Sequence, residues 1–319
     1  MGRLESYLKK FDDMPRAFRK RKYLFVLAMV SIAVIHFAVF YVGVNINSIL
    51  LAFKKFQGYD EKYNEIFVFG FGNFSDMFRE FSAPNSDIGI AVRNTLLYFS
   101  ASLLVIIPVS YFVSYFLHKR IRGFKFFRVV FFLPSIISAV VYVTIFKNII
   151  STFGPLYQFL KLFNYEMPPL LTNPKTATWT IVFYTVWTGI GINMILYQSA
   201  MSRLPKEVLE SAAIDGASWF REFMMIITPM IWPTLSITII LTVTALFNSS
   251  GPILLFSEAG TIAGANNTTT ISFFIFQKTW SGNALEYPAA IGIFFTVVSI
   301  PIVIAIRFIL GRFDKGVEY

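Results

Sequence analysis

Leu204-Pro205-Lys206-Glu207-Val208-Leu209-Glu210-Ser211-Ala212-Ala213-Ile214-Asp215-Gly216-Ala217-Ser218-Trp219-Phe220-Arg221-Glu222-Phe223-Met224-Met225-Ile226-Ile227-Thr228-Pro229 separates two long apolar runs. It is too polar to cross a bilayer and too amphipathic to leave one. Pro205 suits the first helical position, and Glu207 falls in the first turn, where the helix dipole favours an acid. Val208 stacks on Ala212 and Leu209 on Ala213 at i, i+4, giving a face of small side chains. Asp215-Gly216 then ends the helix, with Gly216 supplying backbone freedom and Asp215 expected to cap the next one. Trp219, Phe220 and Phe223 are expected to form one aromatic face lying on the membrane.

The 319 residues are 55% apolar and 14% charged, with a mean hydropathy of +0.61. A water-soluble fold of this length cannot hide so much apolar surface, so lipid must cover it. There is no cysteine, which excludes disulfides, thiol catalysis and thiolate metal sites. His36 and His118 are too few and too far apart for a metal cluster. The net charge of +10 points to membrane topology, not to nucleic acid, because the basic residues are clustered at span ends.

Six apolar segments are long enough for the ~30 Å hydrocarbon core. They are Tyr23–Val44, Thr95–Leu117, Phe127–Phe146, Ala177–Ala200, Ile231–Phe256 and Pro288–Leu310. The basic stretch at 1–22 precedes a span too long for a signal peptide, and no small-residue cleavage site follows it. With the N-terminus inside, 19 of the 28 Lys and Arg fall on the cytoplasmic side. That excess places the 204–229 segment and both termini in the cytoplasm. Outside lie three connections: residues 45–94, a turn around Gly154-Pro155, and residues 257–287. The third, rich in small and polar residues, reads either as a loop dipping beneath a docked protein or as a flexible outer loop.

Glu210-Ser211-Ala212, Gly216, Ile226 and Thr228-Pro229 keep the spacing of a Glu-Ala-Ala, x3, Gly, x9, Ile, x, Leu-Pro pattern. The segment resembles the coupling loop of permease subunits of ATP-binding-cassette (ABC) importers. Phe71-Gly72-Asn73-Phe74, Arg93-Asn94-Thr95-Leu96, Phe132-Leu133-Pro134, Trp187-Thr188-Gly189 and Leu204-Pro205 follow in the order of that family's carbohydrate, maltose-type branch. The resemblance implies an all-α membrane protein, a type I importer permease of six transmembrane helices with a cytoplasmic coupling helix. It divides the chain into a cytoplasmic N-terminus (1–22), a first span with its outer connection (23–94), a core (95–310) holding the coupling loop 201–229, and a cytoplasmic tail (311–319). It implies a sugar or oligosaccharide as cargo. It also implies a homologous second permease, two ATPase subunits and an extracellular solute-binding protein as partners, in the plasma membrane. ATP and magnesium would be held by the ATPase subunits, with no cofactor in this chain. Glu207, Glu210 and Asp215 would meet basic residues of the ATPase cleft, while Ala212, Ala213 and Gly216 permit close approach.

No Gly-x4-Gly-Lys-Ser/Thr phosphate loop occurs, so the chain itself is not expected to hydrolyse ATP. Apart from Arg128 and Arg307 near their ends, the six spans contain no Asp, Glu, Lys or Arg. An ion-coupled carrier, the competing class, ordinarily keeps an ionisable relay there. A permease for another solute, such as a polyol phosphate or an amino acid, is the nearer alternative. For the cargo path, Phe247, Asn248 and Ser249 lie where Ser249-Ser250-Gly251-Pro252 should break the fifth helix, and broken backbone at membrane depth belongs beside a cavity. Trp187 and Asn193 form a similar patch in the fourth span. The competing reading of these small and polar residues is helix packing.

Overall fold

A computed structural model of the chain describes residues 16–313 except 61, 64, 249, 251, 259–260, 263–264 and 282–284. Among the described residues, five helical stretches are long and apolar enough to cross a membrane: Lys20–Ala52, Asp87–His118, Ala139–Lys161, Ala177–Met201 and Glu286–Phe313. A sixth crossing is available if Trp219–Met230 and Trp232–Thr244, bent by 74°, act together.

The first stretch comprises α1 (Arg16–His36), a π-helical piece (Phe37–Gly43) and α2 (Val44–Ala52). Its apolar side chains are exposed along almost their whole length, as in a lipid-facing helix. An antiparallel hairpin follows, β1 (Lys54–Tyr59) paired with β2 (Glu65–Phe69), and then α3 (Gly72–Ser82). Asn73 of the Phe-Gly-Asn-Phe motif is buried and donates to the main-chain oxygens of Ala52 (3.0 Å) and Lys54 (2.6 Å). The motif thus ties the hairpin to the end of α2.

The second crossing is α4 (Asp87–Ala101), a π-helical turn (Ser102–Ile106) and α5 (Ile107–His118). The wider turn lies just before Pro108, and another π-helical run, Glu222–Ile227, lies just before Pro229. A proline has no N–H and its ring presses on the carbonyl four residues earlier, and a π turn opens the ladder at that point.

The third expected span is not one helix. The structure divides it into α6 (Phe124–Ile136) and α7 (Ala139–Ile150), with Ile137 extended at ψ 142°. Pro134 inside α6 removes a backbone donor just before the break. The 13 residues of α6 reach only about 20 Å, so this helix cannot cross alone. After α8 (Pro155–Lys161) comes α9 (Ala177–Met201), the central helix of the bundle. Gly191 brings α9 against α6: a Cβ there would lie 2.5 Å from the oxygen of Phe131. Gly189 does the same against Ile106, at 2.8 Å.

The remaining long elements are the coupling helix α10 (Lys206–Ile214), the bent segment Trp219–Met230, α11 (Trp232–Thr244), α12 (Ile271–Ser281) and α13 (Glu286–Phe313), with a short antiparallel pair, Ser257–Glu258 and Thr261–Ile262, before α12. The fifth helix stops at Ala245, a few residues before the break expected at 249–252, and resumes as one turn at Ile253–Phe256. Residues 265–271 are not a loose loop. Thr268, Thr269 and Thr270 are buried, and Asn94 and Thr178 both donate to the main-chain oxygen of Asn267.

Candidate functional site

The coupling helix α10 leaves most of its surface exposed. Glu207, Glu210, Ala213, Asp215 and Gly216 are exposed, and Ile214 is 86% exposed. Ala212 turns inward at 7%, and Leu204, just before the helix, is likewise buried at 8%. Pro205 sits one residue before the first helical position expected for it, as the N-cap. The helix ends in a Schellman motif: Ala217 N–H donates to Ala212 at 3.0 Å and Gly216 N–H to Ala213 at 3.2 Å. Gly216 has φ +70°, a conformation that glycine adopts without strain. Asp215 does not cap the next helix. Ser218 does, its hydroxyl accepting from Arg221 N–H at 3.3 Å, because the left-handed turn at Gly216 points the chain away before the new helix begins.

The expected single aromatic face is also divided. Trp219 and Phe220 are exposed, whereas Phe223 is buried and stacks on Tyr111 of α5 with ring centres 4.4 Å apart. Two of the three aromatics can meet a membrane surface and the third anchors the segment to the bundle. Around it, the Tyr111 hydroxyl lies 2.7 Å from Thr228 Oγ1, and Tyr115 donates to the oxygen of Trp219 at 3.2 Å. Glu222, 6% exposed, meets Lys119 Nζ at 2.6 Å. On the far side of this cluster Tyr197 of α9 and Thr238 of α11 share a hydrogen bond of 2.8 Å. The bent segment is therefore packed against the second, fourth and fifth crossings at once. Tyr111, Tyr115 and Lys119 recur every four residues, a helical stripe visible in the chain, although nothing local in the sequence ties it to residues 219–228.

At membrane depth the candidate cargo residues are spread over three spaces. A cavity of about 230 Å³ lies between α4, α9 and α11, and Asn193 lines it with Thr95, Tyr98, Ser102, Thr185 and Thr242. The Asn193 amide has no hydrogen-bond partner among the described residues. Trp187 faces away from that cavity into an apolar groove of about 700 Å³, its ring 5.3 Å from Tyr142. Asn248 lines a third space of about 410 Å³ against Asn45, Thr279 and Thr296, and its amide donates to Thr244 at 3.3 Å. Phe247 borders the same space but is buried on Phe295, ring centres 4.9 Å apart. Ser249 lies outside the described residues. Among the described residues no group of three His, Asp or Glu side chains is placed to hold a metal ion.

Two solved structures of a bacterial alginate ABC transporter share this architecture. The crystal structure of a transporter for import of the acidic polysaccharide alginate gives a TM-score of 0.78 at 22% identity, covering 94% of this chain and 100% of that one. The same score and identity hold for the complex with alginate pentasaccharide-bound periplasmic protein, over 93% of this chain and 96% of that one. The arabinooligosaccharides permease AraP of Bacillus subtilis is 26% identical over 277 residues, 83% of this chain and 82% of AraP. The lactose permease LacF of Rhizobium radiobacter is 28% identical over 193 residues, 60% of this chain and 64% of LacF. Residues 106–319 match the family described as the inner membrane component of binding-protein-dependent transport systems. With two thirds of its length matched, from the π turn of the second crossing through the coupling helix to the last, this chain is a member of that family, a multi-pass permease subunit.

Proposed function

We propose that this chain forms one half of the translocation path of an ATP-driven importer for sugars or oligosaccharides, and that separate ATPase subunits drive it through α10. The observation that carries this reading is the exposed, Schellman-capped coupling helix, whose continuation is packed into three membrane crossings. Such an element leaves an acidic face exposed among the described residues and is mechanically tied, through Leu209 and the segment after it, to the helices around the Asn193 cavity. Glu207, Glu210 and Asp215 offer charge-assisted contacts to a basic cleft, and Ala213 and Gly216 let that cleft approach the backbone. ATP and magnesium belong to those ATPase subunits. A second permease, supplying the other half of the path, and an extracellular solute-binding protein complete the assembly in the plasma membrane, with both termini and α10 cytoplasmic.

The cargo reading is supported by the sugars named for AraP, LacF and the alginate transporter. It is also supported by the chemistry of the cavity at Asn193. Hydroxyls of Tyr98, Ser102, Thr185 and Thr242 around a partner-free amide suit a neutral polyol. No Lys or Arg is among the residues lining it, which disfavours a polyol phosphate. Asn248 and Phe247 line a separate space and serve the path only if the second permease closes that space.

Reconstitution into liposomes with co-expressed ATPase, second permease and binding protein tests the proposal. Uptake of labelled oligosaccharide should need ATP, stop with vanadate and ignore a protonophore. Uptake that follows an imposed ion gradient without ATP would return the chain to the ion-coupled class.

A further inference from the structure

Four side chains on one stripe of α5 and its end grip the segment that follows the coupling helix. Tyr111 stacks on Phe223 and shares a hydrogen bond with Thr228. Tyr115 donates to the main-chain oxygen of Trp219 and packs at 5.0 Å from Phe223. Phe116 lies 5.9 Å from Trp219. Lys119 closes the row on Glu222 at 2.6 Å. Glu222 is the one charged side chain in its π-helical run, Glu222–Ile227. Its side chain is only 8% exposed, whereas that of Lys119 is 39% exposed. A carboxylate so nearly removed from water is held by its counter-charge, and the counter-charge sits on a different crossing.

We propose that the Lys119–Glu222 pair is a positioning latch that makes the second crossing move as one body with the coupling segment. Force from the ATPase then reaches α5 directly, in addition to the fourth and fifth crossings that are continuous with the coupling loop. The consequence lies at the other end of the same helix. The π turn at 102–106 connects α5 to α4, and Ser102 and Ile106 line the cavity that Asn193 faces. A latch at Lys119 therefore links movement of α10 to a wall of that cavity that the coupling loop itself does not touch. The contact is an ion pair, so it adds a charge–charge tie to the aromatic packing around it. Lys119 and Glu222 are positioning residues, acting through the helices they join and touching no cargo.

This inference rests on the importer reading, and the test separates the two. The chain has no cysteine, so spin labels can be placed singly by cysteine substitution. One label pair is Ile121 with Phe220, across the latch. A reference pair is Phe220 with Lys20 on the first helix. All three positions used are exposed. In the complete complex, adding ATP with vanadate should shift the reference distance and leave Ile121–Phe220 unchanged. In Lys119→Met, Ile121–Phe220 should shift with nucleotide, and uptake per ATP hydrolysed should fall several-fold while hydrolysis continues. Lys119→Arg should behave as the native chain, and the reversed pair K119E/E222K should restore the fixed distance even where either single change impairs assembly. A nucleotide-dependent Ile121–Phe220 distance in the native complex overturns the latch, as does a Lys119→Met variant indistinguishable from native. A complex in which neither pair responds to nucleotide overturns the importer reading instead.

Discussion

The Asn94 side-chain amide donates to the main-chain oxygen of Asn267 at 2.6 Å across 173 residues of sequence, and also to Thr269 at 3.0 Å. Thr95 completes the staple by accepting from Ile271 N–H at 3.0 Å. Through these bonds the Arg-Asn-Thr motif at the start of the second crossing holds the end of the third connection against the bundle. Asn94→Ala leaves the buried Thr269 carbonyl short of its donor, at a cost of about 1–3 kcal/mol where water cannot enter, while Asn267 keeps the Thr178 hydroxyl. Hydrogen exchange at residues 267–271 should accelerate while the coupling end of the molecule stays protected. Unchanged exchange there would mean that the staple does not hold the loop.

Gly216→Leu should leave the chain inserted but separate it from its ATPase. A Cβ at Gly216 meets nothing within 4 Å in this chain, so the penalty comes from φ +70° and from crowding of the docked subunit. The conformational part costs roughly 1–2 kcal/mol for a non-glycine residue. Gly216→Asn, which tolerates a left-handed backbone, should retain more co-purifying ATPase than Leu. If both variants transport at the native rate, α10 is not the docking element.

Gly191→Ala should lower the melting temperature in detergent, because the added carbon lies 2.5 Å from Phe131 O and backbone must give way. Overpacking of this kind costs about 1–3 kcal/mol. Gly292→Ala in α13 is the control: its Cβ would make an ordinary 3.8 Å contact with Ile275. There the change should be neutral or slightly stabilising, since alanine restricts the unfolded chain. Equal melting shifts for the two would contradict the α9–α6 contact.

Asn193→Leu should weaken oligosaccharide uptake several-fold or change its preference, with assembly and basal ATP hydrolysis intact. One lost neutral hydrogen bond is worth about 0.5–1.5 kcal/mol. Asn248→Leu, made in parallel, reports on the separate space that Asn248 lines. Normal transport of every tested sugar by the Asn193 variant would assign that residue to packing.

Orientation is tested by labelling. A cysteine in place of Ile214 should react only with reagents that reach the cytoplasm, and one in place of Phe153 with impermeant reagents from outside. Both positions are open, at 86% and 89% exposure, whereas Thr268 in the third connection is fully buried and would report nothing. The opposite pattern would invert the topology drawn from the basic residues.

What the amino-acid sequence determined by itself is local. Long apolar runs specify crossings because each backbone polar group must be satisfied within its own helix in lipid. Pro205, Glu207 and Gly216 mark a short helix ended by a left-handed turn because capping and backbone freedom are properties of a few adjacent residues. The spacing of Glu210, Gly216 and Ile226, which resembles that of a coupling loop, is legible for the same reason. Tertiary structure decided the relations between distant residues. Nothing near Glu222 in the chain announces Lys119, and nothing near Phe223 announces the Tyr111 ring that buries it. Asn193, Trp187 and Asn248 share a polar or aromatic character and a membrane depth, yet they open into three different spaces. Helical period tells which residues share a face. Which neighbour that face meets depends on how Gly189 and Gly191 let α9 approach the π turn and α6, and that close approach is a property of the packed bundle.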